Sequence, residues 1–247
     1  MKKALVAALL IVVAIPLLIG VAELPPHGAP DTPVHTHISA YYLANGEEEA
    51  GTENIVTAVI LNYRGLDTNG EVTVIFTGMA AAFAVLIPAA LVRRVHQSGS
   101  RPSAAQTGLD GGVVVSPIVS FIVRLLAPFI ALFSLYVMLH GHSSPGGGFQ
   151  AGAILGGLFI VLSVALGSKK VRPLLDSPLA PWLRIAGPIG FVTMGVLGVA
   201  LTGYYLGYTQ VPALHAVRSA MVMIIEIGIG VGGAMIFATL FAEMEAQ

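Results

Sequence analysis

In a chain with only 10% charged residues, the few groups able to handle a proton or a cation stand out by position. Residues 139–150 read LHGHSSPGGGFQ, with His140 and His142 ahead of Ser144, Pro145, Gly146, Gly147 and Gly148. Residues 64–71 read RGLDTNGE and collect Arg64, Asp67 and Glu71 at one short turn. Glu226 lies alone in the apolar run RSAMVMIIEIGIGVGGAMIF. Imidazoles change charge near neutral pH and can pass protons or, beside the positive end of a helix, bind an anion. An ionised, unpaired carboxylate at mid-bilayer costs roughly 2.5 to 3.5 kcal/mol on the insertion scale, so Glu226 must face a partner or water. Its neighbours at helical spacing, Ser219, Met223, Gly230 and Gly233, suggest a face turned toward protein. Proton or cation handling is the functional reading of Glu226, and a hydrogen-bonded structural carboxyl is the alternative.

Other chemistries are excluded or already explained. His140 and His142 are two apart and do not share a helix face, and no third ligand lies in their loop, so a metal site is not expected. Three glycines without Gly-Lys-Ser/Thr make no phosphate loop. Zero cysteines remove disulfides, thiolate metal sites and iron-sulfur ligation, so any redox chemistry would have to lie in another subunit and no cofactor is expected in this chain. Net charge is −1, and nothing points to nucleic acid. Ser144-Pro145 reads as an N-cap with proline at the first helical position. Thr68 and Glu71 read as a capping box that opens a helix. Arg64, Asp67, Glu71, His140, His142 and Glu226 then remain as ion-path or proton-path candidates. Arg124 lies inside an apolar run, where it either snorkels to head groups or pairs with an acid on another subunit.

The elements that must position these groups follow from hydropathy. With 55% hydrophobic residues and a mean hydropathy of +0.85, the chain is expected to be an all-α integral membrane protein in contact with the lipid bilayer. Six spans are expected, near 4–22, 72–92, 117–139, 147–167, 185–206 and 219–241. The apolar part of residues 53–71, Ile55 to Leu61, is too short to span and predicts a short interfacial or half-inserted helix. The first apolar run is longer than a usual signal peptide and reads as a retained anchor. Residues 96–116, rich in Ser, Gly and Gln, form the expected linker between a two-span unit, 1–95, and a four-span unit, 117–247. Lys2, Lys3, Arg93, Arg94, Arg101, Lys169, Lys170, Arg172 and Arg184 share one side if the spans alternate. That places both termini in the cytoplasm, with the acidic stretch 23–53 outside. Gly148, Gly152 and Gly156, and again Gly228 and Gly232, recur every fourth residue, which suits close helix approach within the chain or against neighbouring subunits.

Two stretches carry a resemblance. Leu135 to Gly157, LYVMLHGHSSPGGGFQAGAILGG, resembles the signature loop of the B-type component of Mrp-type multisubunit sodium/proton antiporters. Gly51 to Thr77, GTENIVTAVILNYRGLDTNGEVTVIFT, is similar to the segment that ends the large A-type component of those antiporters and forms the E-type component of energy-converting membrane-bound hydrogenases. The resemblance implies a membrane subunit of an Mrp-type antiporter in the cytoplasmic membrane, exchanging Na+ for H+ together with other subunits and serving both translocation and assembly. It leaves two alternatives: a membrane-arm subunit of a hydrogenase-type respiratory complex, or a purely structural scaffold. Arg64, Gly65, Asp67, Thr68, Gly70 and Glu71 fall on one family pattern, and His140 to Phe149 on the other. The implied cation role attaches to Glu71 and the two histidines. Asn69 departs from the family's usual apolar residue, and Glu226 matches no motif.

Overall fold

A computed structural model describes residues 2–98 and 116–245. Most of the expected 96–116 linker therefore lies outside the described residues. The described chain is all-helical: α1 (Lys2–Ala22), α2 (Pro33–Thr36), α3 (Ile38–Ala50), α4 (Ile55–Ala58), α5 (Gly65–Ser98), α6 (Pro117–Leu139), α7 (Gly148–Leu166), α8 (Arg172–Leu175), α9 (Ala180–Thr202) and α10 (Arg218–Glu245). Among the described residues, six helices are long and apolar enough to cross a membrane: Lys3–Ala22, Gly65–Leu86, Pro117–Leu139, Gly148–Leu166, Ala180–Thr202 and Arg218–Glu245. Their exposed side chains are mostly apolar; Leu9 is 64% exposed on α1, and Phe121 is 67% exposed on α6. Continuous apolar surface of this extent has no place in water, and the chain is a multi-pass membrane protein.

Residues 1–44 and 45–247 form separate compact units. The first holds α1, which carries Pro16 within it, then α2 and most of α3. The second is organised around α10, which packs against α7 and α9, while α6 lies on α7 and α5 touches both α9 and α10. Glycine permits the tightest contacts. A Cβ at Gly152 would stand 2.7 Å from the Gly230 carbonyl, and one at Gly156 would stand 2.9 Å from Phe237 Cβ. The expected small-residue stripes are thus filled by this chain's own helices, the within-chain alternative of the two. Ser134 and Ser120 fasten α6 to α7 by donating to the carbonyls of Ala151 and Ala165. The largest apolar cluster joins Leu61, Val72, Phe191, Tyr208, Val222 and Ile225.

Several boundaries differ from expectation, among them α9, which runs over Ala180–Thr202 where 185–206 is expected. Helix α3 occupies part of the acidic stretch read as a connecting segment; Arg218 holds its end by donating to the carbonyls of Glu47 and Glu48. Helix α5 begins at Gly65, seven residues ahead of the expected 72. The segment before it does form a short helix: α4 runs on through a wider π-helical turn, Val59–Tyr63, closed by the Arg64 amide donating to the Val59 carbonyl at 2.8 Å. Helix α7 begins at Gly148 with Gly147 as its cap.

Candidate functional site

The site is built where α4 meets the turn between α6 and α7. Asn54 has an extended backbone ahead of four helical residues, and its Oδ1 accepts the Val56 amide at 3.0 Å, an ordinary N-cap. Its Nδ2 is also used, donating to the carbonyls of Gly141 and Ser144, each at 2.7 Å. The Asn54 amide donates to the His142 carbonyl at 3.1 Å, and Thr52 Oγ1 donates to the same oxygen. Thr57, one turn into the short helix and 1% exposed, donates to the Gly141 carbonyl at 2.7 Å. Residues 52–57 thereby take up three carbonyls of the α6–α7 turn.

Beneath that turn lies Glu226 of α10, 2% exposed. Its Oε1 is 3.3 Å from Thr57 Oγ1, and its Oε2 has no hydrogen-bond partner. Two glycines make room for it. A Cβ at Gly141 would stand 2.6 Å from both carboxylate oxygens, and one at Gly148 would collide with the Glu226 backbone carbonyl. Gly147, with φ of 145°, brings the chain from the turn into α7, and a Cβ there would meet Gln150 Oε1 at 2.8 Å.

Glu226 also lines a cleft of about 850 Å³ whose other walls come from the π-helical turn, the first turns of α5 and the start of α7. Arg64, Asp67, Thr68 and Glu71 stand on one wall, and Gly147 and Gly148 on the other. Arg64 and Asp67 pair at 2.6 Å in an exposed position, where such a bridge contributes about 1 kcal/mol or less. Carboxyl groups far apart in sequence thus line one largely apolar cleft. No grouping of three or more His, Asp or Glu side chains that could hold a metal ion occurs among the described residues.

Several expected details are corrected. Thr68 does not cap a helix with Glu71, because both lie inside α5; its hydroxyl instead donates at 2.7 Å to the Ile60 carbonyl exposed by the π-helical turn. Ser144 and Pro145 do not start α7. Ser144 Oγ donates to the His140 carbonyl at 3.0 Å, closing the end of α6, and the Gly147 cap supplies no side-chain bond. His140 stacks on Tyr136 with ring centroids 4.3 Å apart, and its Nδ1 lies 3.1 Å from the Tyr136 carbonyl. His142 is half-buried, with Nδ1 lacking a partner. His140, His142, Ser144, Pro145 and Gly146 are not among the residues lining the cleft. Arg124 is exposed on α6 and makes no ion pair among the described residues.

Sequence reasoning singled out Glu226, Arg64, Asp67 and Glu71 but missed Thr52, Asn54 and Thr57. An asparagine just ahead of a short apolar helix is a recognisable cap signal. Nothing local announces its second set of bonds to a turn 87 and 90 residues away.

Comparison with known proteins is informative along most of the chain. Residues 118–237 match the domain related to the MnhB subunit of the Na+/H+ antiporter, and residues 9–105 match the MbhE family, the E-type component of MBH. The B-type component of the Na+/H+ antiporter of Bacillus subtilis is 34% identical over 110 residues, covering 43% of this chain and 76% of that protein. An uncharacterized protein of Methanocaldococcus jannaschii is 30% identical over 179 residues, covering 68% of this chain and 67% of its own length. A chain in the structure of the membrane-bound sulfane sulfur reductase (MBS), an archaeal respiratory membrane complex, superposes with a TM-score of 0.63 at 28% identity, covering 98% of each chain.

Proposed function

Because the chain belongs to the MnhB-related family of Na+/H+ antiporter components, with an MbhE match ahead of it, we propose that it is a membrane subunit of an Mrp-type cation/proton antiporter, with Glu226 as its ion-handling carboxyl. The observation that carries this reading is the buried Glu226 with an unpartnered Oε2, opening on the same cleft as Arg64, Asp67 and Glu71. A carboxyl left half-satisfied in the interior is costly as a purely structural element. One that takes up and releases a proton or a monovalent cation uses that unfilled valence. Glu71 on the opposite wall provides a second carboxylate for the same traffic, and the exposed Arg64–Asp67 pair sets the charge at the mouth. His140 and His142 stand outside this space and serve, in this reading, the end of the bundle near the turn.

A working assembly with other membrane subunits is supported by the relatives, one named as a subunit of a Na+/H+ antiporter and one a chain of a respiratory membrane complex. Residues 1–95 act as the E-type unit and 117–247 as the B-type unit, with both termini on the cytoplasmic side and Na+ and H+ as the ions moved. A second reading, a membrane-arm subunit of a respiratory complex, is favoured by the end-to-end superposition on the MBS chain. Purification of the native complex separates the two: co-purifying redox subunits with iron-sulfur centres support the second reading, and their absence supports the first.

The direct test is cation-driven proton flux in everted membrane vesicles. Glu226→Gln and Glu71→Gln are expected to abolish flux while leaving the complex assembled. Full flux in both variants makes the chain a scaffold and overturns the proposal.

A further inference from the structure

We infer that Asn54 is a positioning residue whose two side-chain donors hold the α6–α7 turn closed over the Glu226 carboxyl. The side chain divides its work between two elements. Its oxygen caps α4 through the amides of Val56 and Thr57, while its nitrogen reaches across to the carbonyls of Gly141 and Ser144 at 2.7 Å each. Those two carbonyls bracket the turn, and the Asn54 backbone amide takes the His142 carbonyl between them. Gly141 is the residue laid directly against the carboxylate, so close that a methyl group there would stand 2.6 Å from both oxygens. Anything that fixes Gly141 therefore fixes the cover over Glu226. Glu226 is only 2% exposed although it borders an open cleft, and the turn is what stands between it and that end of the bundle.

Two bonds from one side chain to two carbonyls of the same turn restrict its rotation as well as its distance, which a single bond from Thr57 cannot do. Without the Asn54 side chain, Thr57 would hold Gly141 at one point, and the remaining bonds, from Thr52 Oγ1 and the Asn54 amide, would both fall on the His142 carbonyl. The glycines at 141 and 146–148 give the turn little stiffness of its own. Closure is therefore supplied from outside the turn, by residues 52–57. The shielding stands independently of the transport reading; only its effect on flux rests on Glu226 being the ion-handling carboxyl.

The cap and the clasp can be separated by substitution. Asn54→Asp keeps an oxygen able to cap α4 and loses both donors to the turn, and Asn54→Ser keeps the capping oxygen on a shorter side chain with one O–H, which cannot serve both the Gly141 and the Ser144 carbonyls. In membranes containing the whole complex, Glu226 is probed with a water-soluble carbodiimide and a small amine, and the modified fraction is read by peptide mass spectrometry. Asp67 and Glu71 on the opposite wall serve as references. Glu226 is expected to react about tenfold faster in both variants, the size of effect that loss of one or two ordinary hydrogen bonds gives, with Asp67 and Glu71 unchanged. If Asn54→Asp fails to assemble, Asn54→Ser carries the test. An unchanged Glu226 rate in Asn54→Ser overturns the inference, and so does an equal rise at all three carboxyls, which marks general loosening. Full flux in Glu226→Gln would overturn the transport reading and leave the labelling outcome as it stands.

Discussion

Thr57 Oγ1 lies 2.7 Å from the Gly141 carbonyl and 3.3 Å from Glu226 Oε1. Its hydroxyl is within donating reach of both, and its one hydrogen serves one acceptor at a time. Thr57 thus links the α6–α7 turn and the Glu226 carboxyl through a single oxygen.

Replacing that hydroxyl tests the relationship. Thr57→Val keeps the volume and leaves Glu226 with no hydrogen-bonding neighbour, a change worth about 1 to 3 kcal/mol for a buried polar group. Vesicle flux is expected to fall about tenfold or more at an unchanged amount of complex, since about 1.4 kcal/mol corresponds to a factor of ten. Thr57→Ser restores the oxygen and is expected to remain close to the unsubstituted rate.

The two glycines against Glu226 predict different failures. At Gly141 an added methyl meets the end of a flexible side chain, so Gly141→Ala is expected to displace the carboxyl and reduce flux while the complex assembles normally. At Gly148 it meets the Glu226 backbone carbonyl, and relief requires α7 and α10 to separate. Overpacking of this kind costs about 1 to 3 kcal/mol, and Gly148→Ala is expected to lower the melting temperature and the yield of complex. Thermal unfolding of the purified variants distinguishes the two.

The last turn of α3 depends on a residue far along the chain. Arg218 donates to the carbonyls of Glu47 and Glu48 and packs against Gly51, whose φ of 72° turns the chain out of the helix. Arg218→Gln is expected to expose residues 45–52 to limited proteolysis several times faster than in the parent chain, a ratio readable from cleavage time courses. No change in cutting at this site would show that α3 is held by other means.

Alkaline stability reports on Tyr208, which is fully buried in the largest apolar cluster with no partner for its hydroxyl. Burial raises its phenol above the ordinary value of about 10. Below that pH both folded and unfolded chains keep the proton, and stability is unaffected. Above it the unfolded chain releases the proton while the folded one retains it, so stability falls as pH rises, by up to about 1.4 kcal/mol per pH unit. Tyr208→Phe is expected to flatten the decline in melting temperature from about pH 10 upward, where the unfolded phenol ionises, with Tyr205, also raised by burial, supplying a smaller remainder.

The membrane architecture was legible because a spanning helix needs only length and apolarity, and those are local properties. Helix starts were less so. Thr68 with Glu71 and Ser144 with Pro145 each had the right local pattern for a cap, yet each hydroxyl found a better-placed carbonyl, of Ile60 and His140. Helix α3 was missed because its run of Glu47, Glu48 and Glu49 reads as a polar connection until Arg218, 170 residues away, takes its terminal carbonyls. In the same way Glu226 could be singled out by its cost in an apolar run. Thr57 could not, since an isolated threonine in a helix says nothing of a partner 169 positions later.

The hydrogen bonds from residues 52–57 to 141–144 join the stretch matched to MbhE to the stretch matched to MnhB. None of those bonds draws on residues 99–115. The interface therefore has bonds of its own, and two separate polypeptides, one ending and one beginning in that interval, would carry every one of them with which to find each other.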